Sequence, residues 1–181
     1  MFIGIDPGMT GGIVALDDDG KIVELESFDD RNPLEVIKNT LDIISKVHDG
    51  IDTIMLEQVG AMPGQGVSSM FNFGRSYGAI VGLTYGLGYN LNLVTPQTWQ
   101  KIIPDDGSFD GPKDRIRRAI VAEGLEKVVT LKRSMHQGVC DAYFIAKYAW
   151  SLRGVGEPVL PKGAVTPVEF KKVKRKTVMK I

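Results

Sequence analysis

Over the first 27 positions, short apolar runs alternate with turn-forming residues. Residues 2–5 (FIGI) are apolar and β-prone, and the run stops at an acid, Asp6. Pro7, Gly8, Gly11 and Gly12 then force a tight turn, and Ile13, Ala15 and Leu16 resume the apolar pattern. This predicts a hairpin with a carboxylate at the inner end of its first strand. Asp17-Asp18-Asp19-Gly20 is a second turn, and residues 21–27 alternate as a third strand. The period then changes. Apolar residues at 34, 37, 41, 44 and 47 predict a helix from Pro33 to Val47, with Asn32 as N-cap and Pro33 at its first position. Residues 52–56 form a fourth strand, which also ends in an acid, Glu57.

Residues 60–69 (GAMPGQGVSS) are Gly-, Pro- and Ser-rich and predict a surface loop just after Glu57. In the helix that follows, Gly74, Gly78, Gly82 and Gly86 recur every four residues and share one face. Each costs about 1 kcal/mol relative to alanine inside a helix. Close approach of another helix would offset that cost, either from the same domain or, preferably, from a second subunit. Residues 91–94 read as a fifth strand, followed by a short helix at Thr95-Pro96-Gln97 carrying Trp99 and Lys101. Pro112 starts a helix running to about Glu123 with Lys113, Arg115, Arg117 and Arg118, some expected to pair with Asp114 and Glu123 on a solvated face. Lys113, beside the preceding acidic loop, is placed to point into a cleft. Ser134-Met135-His136-Gln137 matches a capping box, with Ser134 as N-cap of the last core helix. Asp141 then falls in the second turn, among Ala142, Ile145 and Ala149, with Gln137 and Gly138 on its side. The elements add up to an α/β fold: a mixed sheet with three antiparallel N-terminal strands, parallel strands after them, and helices around it.

Composition adds boundaries. The 181 residues suit one domain over 1–153, and the single cysteine, Cys140, fits a reducing compartment. No apolar run approaches the length of a membrane span and no signal peptide is expected, so the expected location is the cytoplasm. A net charge of zero hides an asymmetry. Residues 157–181 carry seven Lys/Arg and two acids, so 154–181 reads as an extended basic tail on an acidic body. That distribution suits a protein with a cation site that also meets a polyanion.

Asp6 ends the first strand, Glu57 the fourth, and Asp141 lies inside the last helix. If the two strands are parallel neighbours, their acids sit side by side, and a helix packed across the sheet can bring Asp141 to them. Carboxylates that close repel one another, and a divalent cation resolves the repulsion. All-oxygen ligation suits Mg²⁺ or Mn²⁺, here two ions acting on a phosphodiester. Asp6 could instead simply cap its own turn, and His136 could serve either as a metal ligand or as a helix cap.

Asp-Pro-Gly after the first strand, Leu-Glu-Gln at the end of the fourth, TPQTWQK after the fifth and Asp-Ala in the last helix resemble the RuvC-like Holliday junction resolvases, the bacteriophage branch most of all. The resemblance implies a ribonuclease H-like fold, a homodimer and two-metal cutting of branched DNA such as four-way junctions. By position it implies Asp6, Glu57 and Asp141 as metal-binding acids and Lys113 as a basic residue at the phosphate. The glycine helix corresponds to the one through which such dimers associate. Lys132, Arg133 and Arg117, with Lys172, Lys174 and Arg175 of the tail, would grip the DNA backbone without reading sequence. Two positions depart from the family: the acid three residues before the last one is Gly138, and an aromatic after the fourth-strand acid is Gly60. Phe71 and Phe73 are the nearest aromatics and are expected in the core. A junction-binding module without catalysis is the first alternative. An actin-like ATP-binding domain, with Asp6, Gly8 and Thr10 at its phosphate loop, is the second.

Overall fold

The computed structural model describes residues 1–48, 50–60, 64, 66–105, 107–131 and 134–153. Its centre is one sheet of five strands: β1 (Phe2–Asp6), β2 (Gly12–Leu16), β3 (Ile22–Ser27), β4 (Thr53–Glu57) and β5 (Leu91–Val94), in the order β3-β2-β1-β4-β5. β1–β2 and β2–β3 pair antiparallel, as two-residue-period strands joined by tight turns must, whereas β1–β4 and β4–β5 pair parallel. The chain reaches β4 through α1 (Pro33–Val47), whose Asn32 side chain accepts from the Leu34 amide with Pro33 opening the helix. This is the mixed sheet expected from the sequence, with the N-terminal strand at its middle.

Two apolar layers sandwich the sheet. On one face Ile3, Ile5, Ile13, Ile54 and Leu56 meet Ile37, Leu41 and Ile44 of α1 and Ile80 of α2 (Val67–Gly86). On the other, Phe2, Val14, Leu16 and Met55 meet Val139, Ala142, Phe144, Ile145 and Ala146 of α6 (Gln137–Ser151). Between β5 and α6 come α3 (Pro96–Trp99), a 3₁₀ turn (Gln100–Ile102), α4 (Pro112–Ala122), α5 (Glu126–Val129) and a small antiparallel pair, β6 (Thr130–Leu131) with β7 (Ser134–Met135).

The structure corrects four local expectations. Ser134 does not cap α6: it pairs with Leu131 in the β6–β7 ladder, and His136 is the cap, its side chain accepting from the Val139 amide. The loop after Glu57 ends earlier than residue 69, because α2 begins at Val67. Glu123 pairs with Lys147 and Tyr143 of α6; among the described residues only Arg118 forms the expected pair with Asp114, at 2.9 Å. Phe71 is not core but 70% exposed. Phe73 is not core either: half-buried, it lines a groove of about 670 Å³ with Met9, Gly66, Ser69 and Asn72. The tail, 154–181, lies outside the described residues, as do Lys132 and Arg133. No helix among the described residues is long and apolar enough to cross a membrane.

Candidate active site

Strand alternation decides where the first two acids point. In β1, Phe2 belongs to the α6 layer and Ile3 and Ile5 to the α1 layer; in β4, Met55 belongs to the first and Ile54 and Leu56 to the second. Asp6 and Glu57 continue that alternation onto the α6 side. They stand one position beyond the parallel pair Ile5↔Leu56, so they are neighbours at the C-terminal edge of the sheet.

The third acid arrives because α6 lies almost on the strand backbone. Gly4 has no side chain to hold the helix off, and a Cβ there would overlap the Ala142 carbonyl and the Ala146 amide. At the first turn of α6, a Cβ on Gly138 would overlap Thr10 O and the Gly11 backbone, and one on Gly12 would come within 3.0 Å of the Val139 side chain. The glycines of the 8–12 turn, with Gly4 and Gly138, therefore set the depth at which α6 seats. That depth puts Asp141, in the second turn, within electrostatic reach of both strand acids.

Each acid has one local partner. Asp6 Oδ1 accepts from the Gly8 amide at 2.9 Å, so the side chain does cap its turn while sitting in the cluster. Glu57 Oε1 accepts from the Trp99 indole at 2.9 Å, which explains why a tryptophan fills the start of the segment after β5. Asp141 Oδ1 accepts from Gln137 Nε2 at 2.8 Å, across one turn of α6. These bonds do not offset the burial of three like charges. Burial pushes the Asp6 carboxyl up, against the Gly8 bond and the nearby His136. Burial, then the Asp6 charge, pushes Glu57 up to about 7 despite the Trp99 bond. Burial and Asp6 likewise push Asp141 up to about 7, with Glu57 adding to the rise and Gln137 and Lys113 opposing it. Lys113, second residue of α4, is exposed and close enough for its charge to act on Asp141, and Arg117, one turn further along α4, is exposed as well.

His136 does not offer a free nitrogen. Its Nδ1 accepts from Val139 and its Nε2 is 3.0 Å from Asp29 Oδ1, so the histidine anchors the start of α6. Among the described residues no three His, Cys, Asp or Glu side chains are already drawn together as a metal cage. The donor set nonetheless fits a hard divalent ion: three carboxylates and, beside them, an unpartnered buried amide oxygen, Gln137 Oε1. Sequence reasoning singled out all three acids but had no signal for Tyr77. The phenol oxygen of Tyr77, on α2, is buried without a partner among the described residues, and burial and the Glu57 charge raise its pKa. Gly74, Gly78, Gly82 and Gly86 lie exposed along α2, and a Cβ at any of them would meet nothing within 4 Å. No partner from the described residues of this chain covers that stripe.

A five-stranded mixed sheet in this order, with helices on both faces and acids at its central strands, is a ribonuclease H-like fold, the fold of RuvC. The chain is similar in structure to Thermus thermophilus RuvC in complex with a Holliday junction substrate, with a TM-score of 0.54 and 16% identity over 86% of this chain and 97% of that one. A second Thermus thermophilus RuvC structure aligns over 83% of this chain and 94% of its own, at 19% identity and a TM-score of 0.49. No protein-family model matches the chain, and neither does any curated protein.

Proposed function

We propose that the protein is a divalent-cation-dependent endonuclease that cuts branched DNA, four-way junctions above all, and belongs with the bacteriophage-type RuvC-like resolvases. What supports this reading is that Asp6, Glu57 and Asp141 come from three separate elements to within electrostatic reach of one another, each made reluctant to ionise by burial and, for Glu57 and Asp141, by the other acids. Buried like charges on three separate elements are costly for stability alone and become favourable when cations neutralise them. Bound Mg²⁺ or Mn²⁺, two ions per site, would supply the Lewis acidity for phosphodiester hydrolysis.

The chain's own residues have distinct tasks. Asp6, Glu57 and Asp141 would together hold the ions. Trp99 fixes the Glu57 carboxylate by holding Oε1. Lys113 brings positive charge to the phosphate from the first turn of α4, and Arg117 extends that charge along the same helix face. Lys132, Arg133, Lys172, Lys174 and Arg175 would hold further backbone phosphates, a sequence-independent and salt-sensitive grip. His136 is left out of the ligand set because both its nitrogens are engaged.

The exposed glycine stripe of α2 supports a homodimer. Gly74, Gly78, Gly82 and Gly86 permit close contact with a second copy of the helix, and a two-fold axis relates two sites to two strands of a junction. The protein would act in the cytoplasm, of a host cell if phage-encoded. The test is a panel of labelled duplex, flap, three-way and four-way DNAs incubated with Mg²⁺ or Mn²⁺. Symmetric nicks in the four-way substrate are expected. Binding without cutting would instead support the non-catalytic reading, which the glycine at 138 favours.

A further inference from the structure

Three buried side-chain polar atoms lack a hydrogen-bond partner among the described residues: Gln58 Oε1, Tyr77 Oη and Gln137 Oε1. Two of them are tied to the acid cluster: Tyr77 feels the Glu57 charge, and Gln137 is bonded to Asp141. A buried oxygen left unsatisfied costs roughly 1–3 kcal/mol. Beside three acids, such an oxygen has a natural partner in a bound cation.

Gln137 is the most constrained of the three. In its ionised form, the one that would hold a cation, the Asp141 carboxylate accepts only, so the amide turns its NH₂ toward Asp141, as in the 2.8 Å bond. The carbonyl oxygen of the same planar amide is then held beside Asp141, out of solvent and free of any donor. Its neighbours cannot do this job. His136 has both nitrogens committed, and Gly138 has backbone where any side chain would begin.

We propose that Gln137 Oε1 is a ligand of the divalent cation that Asp141 would hold, a neutral oxygen completing a set that the strand acids and Asp141 leave short. This assignment rests on the nuclease reading. Amide oxygens are ordinary ligands for hard cations.

The test is Mn²⁺ titration of the full chain by calorimetry at pH 8, without DNA, on wild type, Gln137→Ala and Gln137→Glu. Gln137→Ala should weaken one Mn²⁺ site by about tenfold or more and leave the other unchanged. Gln137→Glu keeps the oxygen and adds charge, so it should bind Mn²⁺ at least as tightly as wild type. If Gln137→Ala titrates like wild type, the assignment is overturned. If Gln137→Glu is as weak as Gln137→Ala, the side chain serves only to donate to Asp141, and the assignment is again overturned. Wild type that takes up no Mn²⁺ would remove the nuclease reading itself, a distinct result.

Discussion

Gly4 of β1 and Ala142 of α6 touch backbone to backbone: a single carbon added to Gly4 would overlap the Ala142 carbonyl oxygen. Asp141 precedes Ala142 and Asp6 lies two residues past Gly4, so this contact sets how close the helix acid comes to the strand acid. Gly4→Ala should therefore act on both stability and site. Overpacking of this kind costs at least ~2 kcal/mol, or roughly 4–8 °C in melting temperature for a chain this size. Gly138→Asp, which would restore an acid at the family's usual position, should be destabilising for the same reason and should not raise activity. Differential scanning calorimetry and junction cleavage on the two variants check this.

Glu57 and Asp141 hold their protons to about pH 7, well above their unfolded values of 4.5 and 3.8. A raised carboxyl pKa means the folded state binds more protons than the unfolded chain between those limits. Stability of the cation-free protein should thus fall as pH rises from about 4 to 7 and level off above, by an amount of order a few kcal/mol. Cleavage should run the other way, rising through pH 7 as the acids ionise and take up cations. Adding Mg²⁺ at pH 8 should restore the lost stability. Urea melts at pH 5 and pH 8, with and without Mg²⁺, measure this directly.

The Trp99 indole favours the ionised form of Glu57 by donating to it. Trp99→Phe keeps most of the apolar volume and removes the donor. Its expected signature is a cleavage-pH profile displaced to higher pH, together with roughly 1–2 kcal/mol of lost stability from the missing bond and reduced packing. A profile unchanged in position would show that the bond does not tune the acid.

The glycine stripe separates monomer stability from assembly. A side chain at Gly78 meets nothing in this chain, so Gly78→Leu should strengthen α2 by up to about 1 kcal/mol. The same bulk would block a close helix pair and produce a monomer in analytical ultracentrifugation. That monomer should nick junctions singly rather than in symmetric pairs.

Much of this was legible in the sequence because it rests on period. Strands β1 to β5 and α1 appear as apolar alternation punctuated by Gly, Pro and Asp; Asp6 and Glu57 stood out as charges at the ends of apolar runs, and Asp141 as a charge among apolar helix positions. What could not be read depends on contacts distant in sequence. SMHQ carries a capping-box pattern, yet Ser134 is claimed by cross-strand pairing with Leu131, and the cap passes to His136. Glu123 turns from its own helix to Lys147 and Tyr143 because α4 packs against α6. Phe71 has the composition of a core residue but lies on the solvent side of α2. Tyr77 and the free oxygen of Gln137 are defined by what surrounds them, which no local pattern encodes.

Asp6 is the acid on which both of its partners depend, and it makes the most direct test. Asp6→Asn keeps the shape and the Gly8 bond but removes the charge that raises Glu57 and Asp141. Wild type and Asp6→Asn should be compared on a labelled four-way junction in Mg²⁺, with binding followed in Ca²⁺. The expected result is cleavage lost by at least about a thousandfold in the variant, of the order seen when a site's main electrostatic group is removed, with junction affinity retained. Cleavage at the wild-type rate by Asp6→Asn would contradict the account.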